Sequence, residues 1–459
     1  MIKISAGELA KILSGKLENL PPGTELDQYP VIDSRKAKAG TFFVAFKGEQ
    51  VDGHEFVAQA IKAGAKFALV SKSVDSPSIL VSDVGQALLT LTEFVRERLV
   101  NMKVVGITGS QGKTTSKEFL YSILSSVGET VATEANFNTE IGVPLTMLRC
   151  KESTKFCIVE MGARHIGEIA KLTKVVKPDV GVVLVVGSAH VGEFGSIAAL
   201  ANTKAELITG LATGKTAVLG SYDQWTPKMA DNLSVEKIIF GENQSIRAGD
   251  IQMHGGFAHF DLVTPNGRTP VSLQVLGEHQ LPNALGAAAA AFVLGISNEV
   301  IAVGLTTAQL GSKWRMQLEE VNGLQIIHDY YNANPESMKA ALKTLVLLSQ
   351  ESGGLSWAIL GKMHELGPLE QQAHLEIVEF CQEIGVDHLL SMGTDLYRVS
   401  KNEGSDKHLL LHNCPNADAV LELAKNFSAG DVVLFKASRS ERFEDVAQLV
   451  VDIWSGGRA

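Results

Sequence analysis

A chain of 459 residues is too long for one compact core, so two to four domains are expected. Hydrophobic residues make up 45% and charged residues 20%, with a net charge of −10. This ordinary soluble mixture argues against a broad nucleic-acid surface, while leaving room for a local basic cluster that holds a small anion. The cysteines at 150, 157, 381 and 414 form no CxxC pair and fit no zinc spacing, which points to a reducing cytoplasm. The N-terminus shows no secretory h-region, and no apolar run reaches the ~18 residues of a membrane span.

In chain order, residues 42–46 read as a strand, 54–63 as an amphipathic helix, 67–70 as a strand and 84–99 as a helix. A buried strand is expected at 103–108, followed by a Gly-rich loop and a helix from about Ser116 to Val127. Further strands are expected at 156–160 and 180–186. Strands alternating with helices predict a parallel sheet covered on both faces. Residues 246–275 are short, polar and turn-rich, with Pro265-Asn266-Gly267, and predict a small antiparallel insertion. An Ala-rich helix spans 284–294, and a third α/β stretch starts near Trp314, with strands at 324–327, 357–360, 388–391 and 432–435.

The strongest chemical signal is Gly109-Ser110-Gln111-Gly112-Lys113-Thr114-Thr115 between a strand and a helix. Glycines let several N–H groups converge on one phosphate, and the helix N-terminus adds favourable partial charge. Lys113 would reach the terminal phosphates of a nucleotide and Thr114 would ligate Mg²⁺. The loop is one residue off the common GxxxxGK[ST] spacing, because position 107 is Ile, which points away from GTPases and most motor ATPases. Glu160 ends an apolar strand, a place from which a carboxylate can hold Mg²⁺ beside a phosphate loop; His190 follows the next strand. Each alone could also be a solvated loop residue. Two amides flank an aromatic ring in Asn136-Phe137-Asn138, and turn capping accounts for one of them at most. His279 and Asn283, four apart at the start of the Ala-rich helix, would share a face, where Asn can read an adenine edge or cap the helix. The polar run His328-Asp329-Tyr330-Tyr331-Asn332-Ala333-Asn334-Pro335, with Trp314-Arg315 upstream, suggests a ligand site at a domain seam or a turn set by Asn-Pro.

These segments, in this order, resemble the Mur ligase family, and most closely its MurF type. The matching text is ITGSQGKTT (107–115), NFNTEIGVP (136–144), VEMGARHIGEIA (159–170), GSAHVGEFGS (187–196), LGEHQLPNALGAAAA (276–290), YNANPESM (331–338) and GKMHELG (361–367), with DSRKAKAGTFFVAFKGEQVDGHEF (33–56) near the start. The resemblance implies a three-domain α/β fold: a UDP-sugar-binding domain at 1–100, a central P-loop ATPase at 101–312 and a Rossmann-like domain at 313–459. It implies a cytoplasmic, monomeric enzyme of cell-wall peptidoglycan synthesis. With ATP and Mg²⁺, that enzyme adds D-alanyl-D-alanine to UDP-N-acetylmuramoyl-tripeptide through an acyl phosphate.

By the same resemblance, Ser34, Arg35 and Lys47 lie near the uridine diphosphate. Glu160, His190 and a carbamylated Lys204 join Thr114 at the metal, and Asn138 binds near the γ-phosphate. His279 and Asn283 meet adenine, and Arg315, Asp329, Tyr331 and Lys436 come from the closing domain, with Asn332, Asn334 and Lys436 toward the second substrate. The chain departs from the family's usual text at Gln111 for Asn, His328 for Asp, Tyr330 for Ser, Lys362 for Asp and Ala437 for Gly. Sister ligases using another amine, folyl-polyglutamate synthases and a catalytically silent nucleotide-binding subunit are the rival readings. YNANP argues against the first two, and the intact Lys113, Thr114, Glu160, His190 and Lys204 against the third.

Overall fold

A computed structural model describes residues 1–26, 28–48, 50–188, 191–311, 313–398 and 409–456. In the N-terminal part, a five-stranded sheet runs in the order Lys16–Glu18, Ser78–Leu80, Ala68–Val70, Phe42–Val44, Pro30–Val31, with only the first strand antiparallel. The expected helix at 54–63 is a 3₁₀ turn, Gly53–Phe56, leading into the α-helix Val57–Lys62. Helix Val84–Arg98 starts where the Asp83 side chain accepts from the Gln86 N–H, an N-cap that satisfies an otherwise orphaned donor. Its buried face does not stop at residue 100. Leu88, Leu91 and Val95 share one apolar cluster with Val104, Cys157 and Leu172, and Arg96 reaches across to the Asp179 carboxylate at 3.1 Å.

The central sheet is parallel throughout, in the order Glu236–Phe240, Thr216–Gly220, Val180–Val183, Lys103–Thr108, Phe156–Glu160, Thr130–Ala132. Its four inner strands are buried almost throughout, on both faces, as parallel strands between helices must be. Residues 247–276 form the expected antiparallel insertion, three strands at Arg247–His254, Phe257–Thr264 and Gly267–Leu276. Burial alternates residue by residue along Phe257–Thr264, so the sheet has one apolar face. That face carries Ala258, Phe260 and Leu262 into a core shared with Phe119 and Ile123 of helix Lys113–Ser125 and with Ala288 and Ala291 of helix Gln280–Val293. The small alanines let the two helices approach closely over the sheet.

The C-terminal sheet runs in the order Gln317–Val321, Leu324–Asp329, Val432–Lys436, Ser356–Leu360, His388–Met392, Leu410–Cys414. It is parallel apart from the first edge strand. The four strands expected here are present; the two edge strands were not anticipated. No helix among the described residues is long and apolar enough to cross a membrane, and all four cysteines are buried free thiols.

Candidate active site

Because the central strands are parallel, their C-terminal ends open on one side. There Thr108 passes into the phosphate loop, and Glu160, paired in register with Ile107, ends next to it. Gly112 caps the following helix with φ 81°, a left-handed conformation that suits glycine. A Cβ at this position would lie 1.9 Å from Asn283 Oδ1. A side chain at 112 would therefore force the Asn283 side chain to move.

The Glu160 carboxylate is 2% exposed. Thr114 Oγ1 donates to one of its oxygens at 3.0 Å and Asn138 Nδ2 to the other at 2.9 Å. Lys113 folds back so that Nζ donates to the Gly109 carbonyl at 2.7 Å. Burial lowers its pKa, with Arg315 adding to the shift and Glu160 opposing it. Helix Ile197–Thr209, capped by Ser196, places Lys204 in the same pocket at 7% exposure. Burial and the Lys113 ammonium push the Lys204 amine well below its ordinary range, and no described residue hydrogen-bonds its Nζ. A buried amine with no hydrogen-bond partner among the described residues, held toward its neutral form, is unusual for a structural lysine.

A second wall faces this one. Asn283 Nδ2 donates to Gln280 Oε1 at 2.8 Å, and the Gln280 amide meets His279 Nε2 at 3.0 Å. The amide donates in that contact, so the imidazole proton sits on Nδ1, which is buried without a partner. Burial, helped by Lys436 and opposed by Asp329, lowers the His279 pKa to about 4, so the ring is neutral at pH 7. From the bend that precedes strand Gln317–Val321, the guanidinium of Arg315 lies 4.1 Å from the Tyr331 ring centroid, and its Nε is also buried and unpartnered. Asp329 and Lys436 end adjacent parallel strands and pair at 2.6 Å, with Lys436 also donating to the Asn332 carbonyl at 3.1 Å. The crevice at the C-terminal ends of parallel strands is the usual ligand position in such sheets. Two orphaned donors, His279 Nδ1 and Arg315 Nε, mark it here as built to be completed by something polar.

The structure thus brings Lys113, Thr114, Asn138, Glu160 and Lys204 together, with His279, Asn283, Arg315, Asp329, Tyr331 and Lys436 around the facing seam. Ser110 joins the loop to the next strand end, accepting from the Gly187 N–H at 2.9 Å; Thr115 is buried in the helix's first turn and Gln111 is half-buried. His190 lies outside the described residues. Asn334 has a different job at hand: it caps helix Pro335–Ser352 in a capping box with Ser337. The Asn332 side chain accepts its neighbour Ala333's N–H at 2.9 Å. Ser34 is buried and donates to Gln59 at 3.2 Å; Arg35 is exposed and paired with Asp33 at 2.8 Å; Lys47 is exposed. Sequence reasoning missed Gln280, which relays Asn283 to His279, although it lies inside the segment singled out at 276–283. It also missed Glu336, whose carboxylate accepts from both the N–H and the hydroxyl of Ser188, at 2.9 and 2.8 Å, across the domain seam.

Among the described residues, no three His, Cys, Asp or Glu side chains gather as a metal site. Thr114 and Glu160 supply hard oxygen donors of the kind Mg²⁺ prefers, and a carboxylated Lys204 would add a third. The donor set fits Mg²⁺ on that chemistry.

Residues 107–291 match the Mur ligase middle domain, 314–439 the Mur ligase glutamate ligase domain, and 31–104 the Mur ligase family catalytic domain. The chain is 33% identical to the UDP-N-acetylmuramoyl-tripeptide–D-alanyl-D-alanine ligase of Escherichia coli, an alignment covering 98% of each protein. The chain belongs to the Mur ligase family. A crystal structure of MurF from Acinetobacter baumannii superposes with a TM-score of 0.89 at 33% identity, covering 98% of this chain and 99% of the other. MurF from Thermotoga maritima, solved in complex with ADP, superposes with a TM-score of 0.81 at 29% identity, covering 94% and 98%.

Four of the five positions singled out in the sequence as departures, His328, Tyr330, Lys362 and Ala437, are accommodated locally. His328 Nδ1 meets the Tyr330 hydroxyl at 3.2 Å and its Nε2 meets Glu319 at 2.9 Å, so two of the departures contact each other. Lys362 pairs with Glu370 at 3.0 Å, and Ala437 is buried in the apolar core of the sheet.

Proposed function

We propose that this Mur ligase uses ATP to join D-alanyl-D-alanine to UDP-N-acetylmuramoyl-tripeptide, forming ADP and phosphate, in the cytoplasmic synthesis of peptidoglycan precursors. A carboxylate oxygen of the tripeptide attacks the γ-phosphorus of ATP, and the bond to the ADP oxygen breaks. The dipeptide amine then attacks the acyl carbon, inorganic phosphate leaves, and the amine loses a proton. Both reacting partners in the first step are anions, so positive charge must sit between them. Lys113 supplies it once released from the Gly109 carbonyl, with the loop amides of Gly109 to Thr115 cradling the phosphates.

Thr114, Glu160, Lys204 as its carbamate and His190 would hold Mg²⁺, which when bound neutralises charge on the nucleotide. Asn138 would serve the γ-phosphate, and His279, Asn283, Arg315, Asp329 and Tyr331 the adenosine end. Ser34, Arg35 and Lys47 would hold the uridine diphosphate. Residues 1–100, 101–312 and 313–459 would act as the UDP-sugar, ATP and closing domains. Closure excludes water, which would otherwise hydrolyse the acyl phosphate.

The observation that carries this reading is the pocket itself. The Thr114–Glu160 pair, the buried Lys204 amine and the phosphate-loop Lys113 share one strand-end crevice, with Arg315 close enough to act on Lys113. The test is a phosphate-release screen of UDP-muramoyl peptides of varied length against D-alanyl-D-alanine, D-alanine and single amino acids. Release that requires the tripeptide and the dipeptide together is expected. Release with a shorter peptide and a single amino acid would move the chain to a sister ligase.

A further inference from the structure

A cavity of about 250 Å³ lies between helix Pro335–Ser352 and helix Glu370–Ile384, closed on the central-domain side by Ser188 and Val191. It is smaller than the ~300–1,000 Å³ of pockets for drug-sized ligands, which suits a small peptide better than a nucleotide. Its lining is mixed: the carboxylates of Glu336 and Glu376, the ammonium of Lys339, and the apolar side chains of Leu366, Leu369 and Ala373.

The charges are arranged in order. Glu336 is the wall nearest the phosphate loop: a Cβ on Gly187 would lie 3.3 Å from Glu336 Oε1 and 3.7 Å from the Ser110 Cβ. Each Glu336 oxygen accepts one hydrogen bond from Ser188 and keeps a further lone-pair site. Lys339 sits one turn along the same helix face, about 5–6 Å farther on. Its ammonium lies 5.6 Å from the Phe380 ring centroid and has no carboxylate partner among the described residues. The cavity therefore presents an acceptor for a cation beside the phosphate loop, an unpaired cation one turn away, and apolar surface between the helices.

We propose that this cavity binds the acceptor dipeptide. Glu336 receives its ammonium group at the end facing the phosphate loop, Lys339 holds its C-terminal carboxylate, and Leu366, Leu369 and Ala373 meet its methyl groups. The assignment rests on the ligase reading above. It accounts for a short zwitterion with two methyls, and it places the amine rather than the carboxylate toward the acyl phosphate. The polar atoms of Asn334 and Lys436, by contrast, are already engaged within the protein.

The test compares D-alanyl-D-alanine with its C-terminal amide, D-alanyl-D-alaninamide, as acceptors. The wild-type enzyme is expected to show a KM for the amide about ten-fold or more above that for the acid, the scale of one charge-assisted hydrogen bond. In Lys339→Ala the KM for the acid rises by a similar factor and the acid-over-amide preference collapses; Lys339→Arg restores most of it. A general packing defect would weaken both acceptors alike and leave their ratio unchanged. Thermal midpoints of the two variants report whether each has folded. A Lys339→Ala enzyme that keeps its preference for the acid overturns the site. So does an Arg variant that is folded yet shows no preference. A wild-type enzyme that releases phosphate with some other amine but never with the dipeptide is a separate outcome: it removes the ligase reading and this site with it.

Discussion

Lys113 and Lys204 approach each other at the phosphate loop under different chemical demands. Lys113 must be charged to meet phosphate oxygens; burial lowers its pKa, and the nearby Glu160 carboxylate opposes that shift. Replacing it with alanine should lower turnover by orders of magnitude, because its charge meets charge that moves during transfer; near-wild-type phosphate release by a folded Lys113→Ala would contradict its role. Lys204 is pushed well toward its neutral form, by burial and by Lys113 itself. A neutral amine adds carbon dioxide to give a carbamate and a proton, so acid and depletion of bicarbonate should both reduce activity. Lys204→Ala should be nearly inactive, and short carboxylates added to the assay should restore part of the rate. Normal turnover by Lys204→Ala would rule the carbamate out.

His279 makes a separate demand on pH. Its folded pKa is about 4, against about 6.5 for an unperturbed histidine. As pH falls from 6.5 to 4 the unfolded chain takes up the proton first, so wild-type stability declines across that window. The thermal midpoint of wild type should exceed that of His279→Gln by more at pH 7.5 than at pH 5. A gap independent of pH would show that the ring is not held neutral by burial.

At the scale of elements, the phosphate loop depends on a glycine that performs two tasks. Gly112 adopts φ 81° and leaves space for Asn283. Gly214 adopts a similar φ of 76° with nothing within 4 Å of its missing Cβ. Alanine at 214 should therefore cost only the ~1 kcal/mol of the left-handed backbone, whereas alanine at 112 also displaces the Asn283 side chain, which donates to Gln280, and should cost ~2 kcal/mol or more. Denaturant unfolding of the two variants measures the difference, and equal losses would contradict the fit between loop and helix.

The loop was legible in the sequence because its chemistry is local: a buried strand, glycines, Lys-Thr and a helix in consecutive residues. The antiparallel insertion was legible from its turns and alternation. The edge strand Gln317–Val321 was not, because Glu319 and Glu320 break the apolar pattern and its identity comes only from pairing with Leu324–Asp329. Leu410–Cys414, mostly exposed at the opposite edge, is defined in the same way by its neighbour. Nor could spacing disclose that Glu336 meets Ser188 or that Gln280 links Asn283 to His279, since the first of these joins residues 148 positions apart and the second depends on rotamers.

Over the whole molecule, the central and C-terminal sheets meet beside the phosphate loop, where Ser188 bonds Glu336 and where Arg315 acts on Lys113. The buried, unpartnered His279 Nδ1 and Arg315 Nε are donors that a nucleotide would satisfy from both sides at once. ATP analogue and UDP-tripeptide together should hold the domains closed, and small-angle scattering should show a smaller radius of gyration than for the ligand-free enzyme; identical curves would argue against a moving domain.

The reaction path can be followed atom by atom. When UDP-muramoyl tripeptide carries ¹⁸O in its terminal carboxylate, attack on the γ-phosphorus of ATP transfers one labelled oxygen to the phosphate, and amide formation releases it. Mass analysis of the products of a single turnover with D-alanyl-D-alanine should find one ¹⁸O in inorganic phosphate and none in ADP. Label retained in AMP or ADP, or phosphate carrying no label, would contradict an acyl-phosphate ligase at this site.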